Sequence, residues 1–135
     1  MKMLLNTNFF VSIICIFISF PSYSRWEKYS ENKIFTEYFE LESVKKINNN
    51  IFVWSMYDFK KPQKNGNLST KFYSKYDCSE KKYKIISIIE YKLSMGRGRN
   101  FEYIRNITGK KIEPVWIRPS NDSKDYEKIK FLCSV

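Results

Sequence analysis

The sequence predicts an α+β domain that is mostly β. The expected architecture is an antiparallel meander sheet of about six strands, with one C-terminal helix packed on a face and tethered by a disulfide. Three observations predict it. Short aromatic and β-branched runs, separated by Asn, Gly and Pro turn signals, occupy most of residues 34–117. From Asp122 onward the apolar spacing changes to threes and fours, at Tyr126, Ile129, Leu132 and Cys133. Two cysteines, Cys78 and Cys133, close one of the runs and join the apolar side of that helix.

The N-terminus is set apart from this domain. Lys2 is followed by an apolar stretch from Phe9 to Phe20 and then by Pro21-Ser-Tyr-Ser24, with small residues at Ser22 and Ser24. A basic start, an apolar middle and small residues before a cut make a signal peptide. The alternative is a retained anchor, but the stretch covers about 18 Å as helix against a hydrocarbon core of ~30 Å. A lipidated Cys15 is the other alternative, and it is disfavoured by Ile14 before it and by its place inside the apolar run. The expectation is cleavage after Ser24, export to the periplasm or outer surface, and one mature domain over 25–135.

The elements follow in order. Ile34–Phe39 reads as a strand, and Asn48-Asn-Asn50 as a turn. Ile51–Phe59 is nearly all apolar, as for a strand covered on both faces. Pro62 and Asn65-Gly66 make 60–67 a hairpin loop. In Thr70–Cys78, Phe72, Ser74, Tyr76 and Cys78 face one way and Tyr73, Lys75 and Asp77 the other. Ser79–Lys82 turns the chain into Tyr83–Leu93, whose β-branched content suits a central strand. Gly96-Arg-Gly98 is the next turn, and Phe101–Arg105 and Val115–Ile117 are two further strands about Thr108-Gly109. Asp122 or Ser123 caps the helix, and Asp125 and Glu127 suit the positive end of its dipole.

In an exported chain Cys78 and Cys133 are expected to pair, with two buried free thiols as the alternative. The formal charge of the whole chain is +10. Residues 43–135 hold 20 basic and 9 acidic residues, while 25–42 are acid-rich, with Glu27, Glu31, Glu37, Glu40 and Glu42. Such a field draws anionic partners: sulfated glycans, anionic envelope lipids or acidic proteins. Nucleic acid is not expected outside the cytoplasm.

Catalytic chemistry finds little footing. The chain has no histidine, which removes the commonest general base and the usual zinc sites. Ser-x-x-Lys occurs at Ser30/Lys33, Ser43/Lys46 and Ser79/Lys82, without companion motifs. Gly96-Arg-Gly98 lacks the third glycine of a phosphate loop. Asn67, Asn106 and Asn121 open glycosylation patterns that matter only in a eukaryotic host. No catalytic residue, cofactor or metal site is assigned.

Basic turns remain. In an up-and-down meander alternate turns share an end, which would gather Lys60, Lys61, Lys64, Arg97 and Arg99. Lys81, Lys82, Lys110 and Lys111 would collect at the opposite end. The first group is the candidate binding patch; charged, solvated loops are the plainer reading.

Several elements together resemble the surface-adhesin protein E-like family of exported bacterial proteins. They are Ile51-Phe-Val-Trp54, Tyr76-Asp-Cys78, Lys82-Tyr-Lys-Ile-Ile86, Met95-Gly96, Trp116 ahead of Pro119-Ser120, and the terminal Phe131-Leu-Cys133. The resemblance implies a six-stranded antiparallel sheet with a disulfide-tethered helix and no enzymatic activity. It also implies binding of host extracellular-matrix proteins at the cell surface, and a homodimer. Arg118 stands where the resemblance leads one to expect glycine. Two functions therefore stay open: an exported binding module of adhesin type, or a small exported enzyme using carboxylates or a serine. A pocket with two nearby carboxylates, or a serine beside a desolvated lysine, would favour the enzyme.

Overall fold

The computed structural model describes residues 25–102 and 113–135. The expected signal segment 1–24 lies outside the described residues, as do Lys110, Lys111 and most of the Phe101–Arg105 run. Seven strands form one antiparallel sheet: β1 (Glu27–Glu31), β2 (Phe35–Phe39), β3 (Lys45–Ile47), β4 (Asn50–Phe59), β5 (Ser69–Asp77), β6 (Lys82–Leu93) and β7 (Arg97–Glu102). Helix α1 spans Lys124–Ser134. The spatial order is β1-β2-β4-β5-β6-β7, a meander, with β3 beside β2 on the same edge of β4. The expected fold class is therefore the observed one.

Within it, some elements differ. β1 and β3 are strands that the sequence did not announce, because both are short, charged and largely exposed. β4 and β5 lie at the centre, while β6 is next to the edge and has no fully buried residue. In β4, Ile51, Val53 and Ser55 are buried whereas Phe52 and Trp54 are only half-buried, so coverage is unequal between its faces. The turn after β6 is a 3-10 turn at Ser94–Gly96, and the Arg97-Gly-Arg99 segment already belongs to β7. Val115–Ile117 contributes a single bridge, Ile117 to Tyr83.

The core forms where α1 crosses one face. Ile129 and Leu132 pack with Phe39, Ile51, Val53 and Tyr76, one side chain in two along each strand. Ser123 caps α1 by accepting from Tyr126 N–H, one of the two candidate caps. Cys133 is bonded to Cys78 just past the end of β5, so the helix is stapled to the sheet as expected. The bond closes a loop of 55 residues, worth roughly 4 kcal/mol in the chain-entropy account.

Candidate binding surfaces

The loop after β4 and the turn after β6 do meet at one end of the sheet. Asp58 Oδ1 accepts from Met95 N–H at 2.7 Å. Ser69 Oγ accepts from Gly96 N–H at 2.9 Å and donates to the Leu93 carbonyl at 2.6 Å. Lys92 Nζ donates to the Asn65 carbonyl at 2.5 Å, and Glu90 accepts from the side-chain amides of Asn65 and Asn67. Met95 and Gly96 both have positive φ, 58° and 65°, which makes the tight turn possible. The whole end is hydrogen-bonded into one piece.

The five basic candidates are not equivalent on it. Lys60 is ion-paired with Glu31, which also holds Lys28. Those two ammonium groups, Lys28 first, hold the Glu31 carboxyl down to about 2. Lys61, Lys64, Arg97 and Arg99 are exposed, and among the described residues none has an acidic partner. Arg97 Nε donates to the Ser94 carbonyl and so is fixed against its own turn. At the opposite end, Glu80 gathers Lys82 and Arg118. Asn67 is 2% exposed, so this glycosylation pattern is closed to modification in the folded protein.

A second feature lies under the N-terminal half of α1. Lys128 Nζ reaches Glu37 Oε1 at 2.7 Å and Asp125 Oδ1 at 3.6 Å. Tyr83 O–H donates to Asp125, and Ser30 O–H to Glu37, each at 3.4 Å. A cavity of about 170 Å³ borders this cluster, lined also by Ser55, Ser74 and Tyr76. A larger one of about 410 Å³ opens on its other side, against Tyr29, Phe35 and Tyr57.

Both ingredients set for the enzyme alternative are thus present: two carboxylates, and serines near a buried lysine. Their electrostatics do not suit that chemistry. Burial works most strongly against the Lys128 charge, but Glu37, Tyr57 and Tyr76 together outweigh it and the ammonium sits above the usual lysine range. A lysine held protonated cannot take a proton from serine. Burial pushes the Glu37 carboxyl up, while Lys128 and Ser30 pull the other way. The sequence hinted at this cluster: Glu37 stands between Phe35 and Phe39 on the inward side of β2, and Lys128 is four residues before buried Leu132.

The far face of the sheet, away from α1, is paved with rings and lysines. Trp54 and Tyr73 pack at 5.0 Å between centroids, and Phe52 lies 6.3 Å from Tyr73. Lys71 lies over Trp26 and Tyr91, and Lys75 over Phe52 and Trp116.

Comparison with known proteins agrees on the fold. Among curated proteins none matches the sequence. Solved structures of Haemophilus influenzae protein E are similar at low identity. A selenomethionine form has a TM-score of 0.57 at 13% identity, covering 82% of this chain and 92% of that one. A second crystal form gives 0.56 at 15%, covering 73% and 80%. Protein E from a non-typeable strain gives 0.57 at 12%, covering 82% and 84%. The family profile described as Surface-adhesin protein E matches residues 26–134, almost the whole of the described domain. The chain belongs to the surface-adhesin protein E family.

Proposed function

We propose that this protein is an exported, non-enzymatic binding module of adhesin type, whose basic end holds acidic surfaces of host matrix proteins. The observation that supports it best is the hydrogen-bonded junction of the 60–67 loop with the Ser94–Gly96 turn. Lys61 and Lys64 belong to that loop, and Arg97 and Arg99 to the start of β7 just after that turn; all four are exposed and without ion-paired carboxylates among the described residues. Rigid presentation lowers the entropy lost on binding, and clustered charge steers an anionic partner. Family membership supports the surface location, and the signal-like 1–24 segment supports export.

The test replaces Lys60, Lys61, Lys64, Arg97 and Arg99 by Gln together and measures binding to a purified matrix glycoprotein at low and physiological salt. Weaker binding in the variant, and salt-sensitive binding in the parent, is expected. Unchanged affinity with the fold intact by circular dichroism would reject the site. Export is tested separately: mass spectrometry should find Arg25 as the first residue, and protease added to intact cells should cut the protein.

One observation favours a second reading, an exported hydrolase built on the Glu37–Lys128–Asp125 cluster. It predicts turnover of ester or peptide substrates that is lost in Lys128→Met. The protonated state of Lys128 makes it the weaker proposal.

A further inference from the structure

Three ammonium groups converge on one indole at the far face of the sheet. Lys75, Lys82 and Lys84 place Nζ 5.7, 4.7 and 4.8 Å from the Trp116 ring centroid. Lys75 and Lys84 are direct cross-strand partners of β5 and β6, an arrangement in which like charges repel. Lys82 has Glu80, which it shares with Arg118. Among the described residues Lys75 and Lys84 have no ion-paired carboxylate, while Lys71 has Glu40 beside it in the same cavity. Attraction to the Trp116 ring face offsets part of this repulsion, and an anion would offset the rest.

The crowding continues as a strip. Along β5 this face carries Lys71, Tyr73 and Lys75, with Trp54 flanking Tyr73, and then Asp77, whose carboxylate accepts from the Ser79 and Glu80 N–H groups of the following turn. The two lysines are four residues apart, about 13 Å along a strand. The ring planes of Trp54 and Phe52 each incline 32° to Tyr73, so the rings form a shallow floor and not a parallel slot that would admit a base.

We infer that this strip is a binding site for an extended sulfated glycan. Pyranose rings would lie on the Trp54–Tyr73–Phe52 floor, with acidic groups received by Lys71 at one end and by Lys75 and Lys84 beside Trp116 at the other. Charge complementarity carries the assignment: an anion between Lys75 and Lys84 replaces their repulsion with two attractions. The Lys71 end of the strip adjoins Gly96 in the turn of the basic end, whereas Lys75 and Lys84 beside Trp116 lie apart from that turn, so the substitutions that test the strip are made at the Trp116 end.

The test is the double substitution Lys75→Ser with Lys84→Ser in the full mature chain, against heparin, desulfated heparin, a single-stranded oligonucleotide and phosphatidylglycerol vesicles. The variant loses one like-charge repulsion together with two contacts to the Trp116 ring, so its melting temperature should change little, and that measurement guards against a folding artefact. Heparin affinity should fall about tenfold, and heparin should change tryptophan fluorescence in the parent but much less in the variant. Desulfated heparin should bind the parent weakly. The proposal is overturned if the variant binds heparin like the parent. It is equally overturned if the parent prefers the oligonucleotide or the vesicles to heparin. Loss of heparin binding only in the five-residue variant of the basic end would likewise reject the strip and leave the other surface standing.

Discussion

Lys128 Nζ lies 2.7 Å from Glu37 Oε1, their side chains 11% and 5% exposed, and this ion pair joins the helix to the second strand beneath the protein's only described α-helix. Its partners on every side are polar or aromatic: Asp125 on the helix, Ser30 on β1, Tyr57 on β4. Breaking one half leaves the other charge stranded. Lys128→Met should therefore lose about 3–5 kcal/mol in urea unfolding, and Glu37→Leu a similar amount. The double variant should recover much of that loss, because neither charge is then buried alone. Additive losses would show that the two side chains act independently.

The disulfide makes a second, separable contribution. Replacing Cys78 and Cys133 by Ser should cost up to about 4 kcal/mol, with the loss concentrated in α1. Hydrogen exchange should then show faster exchange in Lys124–Ser134 than in β4 and β5. Uniform acceleration across the sheet would mean that helix and sheet open as one unit.

Acid stability has a definite sign. The Glu31 carboxyl titrates at about 2 in the folded protein against 4.5 in the open chain, and Glu80 is lowered in the same direction by Lys82 first and then Arg118. Their stabilisation is complete above the unfolded value and disappears as pH falls toward 2. Glu37 works oppositely: its raised value favours the folded state at low pH and weakens that advantage as pH rises. Glu31→Gln should flatten the fall in stability between about pH 5 and 2 and lack the same amount of stability at neutrality, a small one since the site is exposed, so that parent and variant converge near pH 2. An unaltered acid slope in that variant would contradict the Glu31 assignment.

Gly96 tests the turn. Its φ of 65° disfavours any side chain, and an added Cβ would lie 2.3 Å from Lys71 Cε. The flexible lysine can withdraw, but the backbone cannot. Gly96→Ala should cost about 1–2 kcal/mol and weaken the Ser69–Gly96 contact. A melting temperature equal to the parent would show that the turn relaxes freely.

The sequence made the long elements legible through periodicity. Alternation in β5 correctly divided Phe72, Ser74 and Tyr76 from Tyr73 and Lys75, and the three-four spacing located α1 and its cap. β1 escaped because Glu27-Lys-Tyr-Ser-Glu31 turns little apolar surface inward, Tyr29 being its main contribution to the core. β3 escaped for the same reason, being Lys45-Lys-Ile47. Meander geometry correctly joined two turns at one end, yet it could not show that Glu31 claims Lys60, a pairing across 29 positions. Trp116 was visible as a single residue; its company of three lysines is set by the Tyr83–Ile117 bridge, which no local pattern encodes.

The meander also sets an order of events. β4, β5 and β6 are each hydrogen-bonded to the next strand in the chain, so their hairpins close over short distances, and local closures are the fast ones. The helix must instead return over the sheet to bring Cys133 to Cys78. Oxidation is then a late event that locks an arrangement the sheet has already templated. An oxidant acting before the helix docks would find only a tethered pair of distant thiols, so the timing of thiol oxidation reports on helix docking and not on the birth of the sheet.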